Sequence, residues 1–136
     1  MIEIARTLHL LGAVFWVGGM GARLVLLGSV TAVTPESVRG PLYEAQRRVH
    51  LRMEVPAFLL ALLAGLFLMY AGGVTFRQTW FSVKVLLLVG VIFVDLLASR
   101  RFRAIRASGD AGGAAVLTSA LVVLALLMVF AAVTKF

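Results

Sequence analysis

Residues 8–27 read LHLLGAVFWVGGMGARLVLL, a stretch almost wholly apolar that nevertheless holds His9, Trp16 and Arg23. A bilayer core takes about 20 predominantly apolar residues per helix, so this run is long enough to cross a membrane. Its three exceptional side chains recur every seven residues and lie on one stripe of a helix, with a drift of only ~20° per step. Met20 falls on the same stripe. Glycines at 12, 18, 19 and 21 are interleaved with it, and small residues of this kind let helix backbones approach closely in lipid. A lipid-built helix with one polar stripe needs neighbours that cover the stripe.

The rest of the chain supplies them. Of 136 residues, 62% are hydrophobic and 14% charged, and the mean hydropathy is +1.04, where soluble domains are roughly 45–50% apolar. Apolar runs at about 4–30, 50–73, 79–103 and 113–134 predict an all-α integral membrane protein. It forms one domain, 1–136, a four-helix bundle of up-down-up-down topology. Val30-Thr31-Ala32 resembles a signal-peptide cleavage site, but Glu3 and Arg6 cancel and the apolar stretch exceeds a 7–15-residue signal core, so the first helix is read as retained. The sequence has no cysteine, which excludes disulfides, thiolate metal sites and cysteine nucleophiles.

The net charge of +7 is unevenly placed. With four spans, the two long loops share one side and hold Arg39, Arg47, Arg48, Arg52, Arg100, Arg101, Arg103 and Arg106. The other side has Arg6, Arg77, Lys84 and Lys135. The positive-inside rule puts the arginine-rich loops in the cytoplasm and both termini outside it, in a multi-pass protein of the cell membrane. The expected partners are the bilayer, whose anionic headgroups meet these arginines, and further copies of the chain in a homo-oligomer. Nucleic acid is not expected, because headgroups account for the basic loops. Between the first two spans, Pro35 marks a helix start and Gly40-Pro41 punctuates the connection. From Leu42 the chain runs helically into the second span, with Pro56 loosening one turn. AGGVTFRQ forms an outer turn and ASGDAGG an inner one.

An intramembrane charge is costly unless it is paired or faces the bundle interior, so the polar stripes point inward. Lys84 and Asp95, eleven apart, share a helix face, and Tyr43, Arg47, His50 and Glu54 follow i, i+3/i+4 spacing. Depth along the helices separates two layers. Towards the cytoplasm, Arg23 pairs with Asp95 or Glu54 in a buried ion-pair network, and His50 with Glu54 shares a face that could also hold a metal. In the outer half lie His9, Met69 and Lys84. His9 fits either a core histidine donating to a carbonyl or, with Met69, a ligand set for haem iron or copper, and Lys84 suits an anionic group such as a propionate. Trp16 fits either packing or stacking on a porphyrin ring. His9 and His50 are too far apart in depth to ligate one metal.

LHLLGAVFWVGGM resembles the first helix of the CopD-like copper-resistance membrane proteins, a histidine followed by W-x-G-G, and WFSVKVLLLVGVIFVDLLASRRF is similar to their later helix. RMEVPAFLLALLAGLFLMY and the ending VFAAVTKF resemble the related HemJ-like protoporphyrinogen oxidases, so the likeness covers nearly the whole chain. It implies a b-type haem, a tetrapyrrole substrate and a membrane oxidoreductase, with His9, Trp16, Gly19, Arg23 and Lys84 at positions of functional residues. The sequence departs from the HemJ-like pattern twice. RLVLLG stands where a Tyr-His pair follows the first-helix arginine, and Asp95 stands where a histidine follows the lysine.

Three functions follow as expectations. The first is a redox-related protein binding haem b or a porphyrin through His9, Trp16, Arg23, Met69 and Lys84. The second is a copper-handling protein or permease using His9 and Met69, and the third is a non-catalytic membrane subunit.

Overall fold

The structure, a computed structural model, describes residues 1–30, 33–108 and 113–134. The helices are α1 (Ile2–Gly28), α2 (Glu36–Val49), α3 (Val55–Ala71), α4 (Thr79–Ser108) and α5 (Ala114–Thr134), and a π turn, His50–Glu54, joins α2 to α3 without a break. Four helical stretches are long and apolar enough to span a membrane: α1, α2–α3 taken together, α4 and α5. The chain is thus a small polytopic, all-α membrane protein.

Large apolar side chains point outward, among them Leu10, Val14 and Val25 of α1, Leu63 of α3, Leu86 and Phe93 of α4 and Leu126 of α5. Lipid tails are as apolar as leucine, so hydrophobicity does not decide which face turns inward; small and polar residues do. On α1, Ala5, Gly12, Trp16, Gly19, Arg23 and Leu27 are buried and His9 is half-buried. Their steps of four and three residues form the seam of a left-handed helix pair. Gly12 permits the close crossing of α1 and α3, because a Cβ there would lie 2.6 Å from the Ala57 carbonyl oxygen. Trp16 fills the next layer against Phe58, ring centroids 4.8 Å apart. Around it Met20, Leu24, Leu27, Val91, Val94 and Phe102 make a continuous apolar core.

Helix α1 is central. It packs on α3 along one flank and on α4 and α5 along the other, and α2 lies against α4 at the arginine-rich end. Among the described residues the Cα atoms of α3 and α4 nowhere come within 8 Å of each other, and α1 is what both pack against. Parallel α1 and α4 bring Lys84 beside His9 and Asp95 beside Arg23.

The link between the first two spans differs from its sequence reading. Helix α2 begins at Glu36 rather than Leu42 and continues through Gly40-Pro41. Pro41 lies within the first two turns and forfeits only the bond to the Ser37 carbonyl, a loss a helix near its N-terminus tolerates better than one at its centre. Thr31-Ala32 of the cleavage-like triplet, residues 109–112 of the inner turn and Lys135-Phe136 lie outside the described residues.

Candidate functional site

The polar residues of the bundle interior form two groups. At the arginine-rich end, Arg23 is 1% exposed and its guanidinium reaches three helical segments. Nη1 donates to Glu54 Oε2 at 2.7 Å and to Asp95 Oδ1 at 2.8 Å. Nε donates to Gln46 Oε1 at 3.1 Å, and Nη2 to Ser99 Oγ at 3.0 Å. The Phe102 ring lies 5.6 Å from the guanidinium carbon, a cation–π distance. His50 Nδ1 is 3.0 Å from Arg23 Nη1 and 2.9 Å from Glu54 Oε2.

Hydrogen counting resolves the His50 contacts. Nη1 carries two hydrogens, and the two shorter contacts to carboxylates take both. His50 Nδ1 then carries its own hydrogen and donates to Glu54 Oε2. One ligand-type atom each of His50, Glu54 and Asp95 lies within 4.8 Å of the others, but Nη1 already stands among them and provides the positive charge. Glu54, itself 1% exposed, keeps one oxygen, Oε1, buried without a hydrogen-bond partner.

The π turn sets this geometry. Four residues of α-helix overshoot a full circle by ~40°, whereas four residues of a π turn, at about 4.4 residues per turn, fall ~33° short. The two offsets nearly cancel over Gln46, His50 and Glu54, which therefore lie on one line facing Arg23. Pro56, just after the widened turn, has no N–H to offer the preceding turn. Gln46 and Ser99 are the members that sequence spacing missed. Both were legible at one-turn spacing, Ser99 four residues beyond Asp95 and Gln46 four residues before His50, but of the two candidates one turn before His50 the sequence reading takes Arg47. In the structure Tyr43 turns instead to the Arg106 guanidinium, 4.8 Å from its ring centre.

The second group lies at the opposite end of the bundle. His9 Nδ1 is 2.7 Å from the Ala61 carbonyl oxygen, and since a carbonyl only accepts, Nδ1 carries the hydrogen. Nε2 is left as a lone pair and accepts from Lys84 Nζ at 3.3 Å. The ring lies on Gly65, where a Cβ would stand 3.0 Å from it. Among the described residues Lys84 has no carboxylate within ion-pairing distance. His9 and Lys84 are both half-buried, as is Met69, one turn beyond Gly65 on α3. The His9 imidazole thus links α3, through Ala61, to α4, through Lys84.

The structure thus brings His9 together with Lys84, and Arg23 with Glu54 and Asp95. Trp16 stacks on Phe58 between the two groups, and Arg23 is committed to the carboxylates rather than to His9 and Lys84. Compared with known proteins, the chain matches no family model, no curated protein and no solved structure.

Proposed function

We propose that this protein binds a carboxylate-bearing tetrapyrrole, a haem b or a porphyrin, between α3 and α4, and serves redox chemistry there. The state of His9 carries the reading. Histidines that ligate metals nearly always donate their other ring N–H to a carbonyl or carboxylate, which fixes the tautomer and the ring plane, and His9 does so to Ala61. Its Nε2 lone pair faces Lys84, an intramembrane ammonium without a counter-ion among the described residues. Such a charge is costly in a bilayer, and a propionate would supply the missing partner through a charge-assisted hydrogen bond.

In this reading Ala61 would orient His9, His9 would hold the iron and Lys84 would hold a carboxylate, between α3 and α4. The bound cofactor would supply electron transfer. Met69 favours a second reading, copper held by His9 Nε2 and a thioether one turn away, since both ligands suit Cu(I). In either case the arginine-rich end faces the cytoplasm and its anionic headgroups, with the termini on the other side.

The test is the absorption spectrum and metal content of protein purified from its native membrane, alongside His9→Ala and Lys84→Ala. A Soret band lost in His9→Ala and weakened in Lys84→Ala is the expected result. Copper bound without a Soret band would transfer the site to the second reading, and neither would remove both.

A further inference from the structure

Lys84 and His9 meet in a way that the holding of a ligand does not exhaust. Lys84 Nζ lies 3.3 Å from His9 Nε2, and His9 Nδ1 is tied to the Ala61 carbonyl oxygen at 2.7 Å. A nucleophile, a base within reach of it and a third group that orients the base are the parts of an activated nucleophile. The contact between the two nitrogens also limits where their hydrogens stand. A hydrogen bond there needs a lone pair on one side, so the pair is either an ammonium beside a basic imidazole or a free amine beside an imidazolium. Were both protonated, two donors would face each other and a second charge would lie at membrane depth, where charge is costly. In both allowed forms the Lys84 nitrogen is at most one proton transfer from a free lone pair. Among the described residues no carboxylate stands within ion-pairing distance to hold it as an ammonium. Lys84 is half-buried and lies within the candidate span Thr79–Ala104, so what reaches its exposed part comes through lipid.

We propose that Lys84 is a carbonyl-reactive lysine, which captures a long-chain, lipid-borne aldehyde as a Schiff base with His9 as the proton carrier. Starting from the ammonium, one hydrogen passes from Nζ to His9 Nε2. The freed pair on Nζ forms the bond to the carbonyl carbon, and the carbonyl π pair goes to its oxygen. A second hydrogen moves from Nζ to that oxygen. His9 then returns the first hydrogen as the C–O bond breaks and water leaves. Ammonium and aldehyde thus give a protonated imine and water, with nothing oxidised or reduced. Ala61 keeps the imidazole in place through both transfers. A carboxylate ligand would hold Lys84 as its ammonium, and a site free of one is open to the aldehyde. The reaction needs neither haem nor copper, so its test is independent of the absorption spectrum above.

The full-length protein in phosphatidylcholine nanodiscs, mixed near neutral pH with hexadecanal and sodium cyanoborohydride, tests this. The hydride reduces an imine to a stable amine, and peptide mass spectrometry locates the adduct. The chain has two lysines, Lys84 and Lys135, so Lys135 is an internal control. Hexadecanal should label Lys84 ahead of Lys135, and glycolaldehyde, which stays in water, should not. His9→Gln keeps a hydrogen-bonding side chain but cannot carry a proton, and should slow labelling of Lys84 by about a hundredfold, the lower range of general acid–base catalysis. If His9→Gln does not fold, the choice between the two lysines and between the two aldehydes in the wild type carries the test. Labelling of both lysines at one rate, a preference of glycolaldehyde for Lys84, or an unchanged Lys84 rate in His9→Gln would overturn the proposal.

Discussion

Arg23 and Lys84 are both cations set inside the membrane where α1 meets α4, and the bundle treats them in opposite ways. Arg23 has Gln46, Glu54, Asp95, Ser99 and Phe102 arranged around it, every guanidinium nitrogen has an acceptor, and the guanidinium itself is buried. Among the described residues Lys84 has one side-chain partner, the imidazole of His9, and no carboxylate at ion-pairing distance. A satisfied buried network fixes helix register and leaves no room for a ligand, whereas an undersatisfied one is costly unless something arrives to complete it. The difference separates a cation whose donors are all met from one that meets only a neutral partner among the described residues.

The comparison breaks most easily at Arg23. Arg23→Ala leaves two buried carboxylates facing each other and should lower the unfolding free energy of the detergent-solubilised protein by roughly 3–5 kcal/mol. Adding Asp95→Asn or Glu54→Gln should return part of that loss. Equal denaturation midpoints for Arg23→Ala and wild type would show that the network does not hold the fold.

Gly12 tests the close crossing on which both sites depend. A methyl group there meets the Ala57 carbonyl, so Gly12→Ala should cost about 1–3 kcal/mol in the same assay by overpacking. Gly18→Ala meets nothing within 4 Å and should leave stability unchanged. Similar losses in both would remove the crossing as the cause.

Smaller effects sharpen the contrast. Ser99→Ala takes one acceptor from the guanidinium and should cost about 1–2 kcal/mol, the range for a hydrogen bond to a charged group. Lys84→Met removes a cation that lacks a counter-ion, and thermal unfolding should show no loss of stability. A large loss there would mean that Lys84, like Arg23, is a structural residue.

Much of this arrangement was legible in the chain, for particular reasons. Helical spacing of seven put His9, Trp16 and Arg23 on one stripe, and the cost of a charge in lipid required that Arg23 meet Glu54 or Asp95, whose depths match. It meets both. The cluster's edge was harder to read, because Gln46 and Arg47 both lie one turn before His50, and Gln46 comes into line with Glu54 as well only through the π turn at His50–Glu54. The order of helices around α1 was hidden as well. Four lipid-compatible helices carry no hydrophobic signal for which pairs touch, so the pairing of α1 with α3 and of α4 with α5 is a property of packing alone.

The contrast between the two sites is tested most directly by titrating haemin into the purified protein and two single variants, with binding followed by the Soret band. His9→Ala should weaken binding at least about tenfold, near 1.4 kcal/mol, because it removes the imidazole whose Nε2 faces Lys84. His50→Ala should bind as the wild type does, since that imidazole is spent on Glu54. Loss of binding in His50→Ala with retention in His9→Ala would contradict the account and place the ligand at the arginine-rich end.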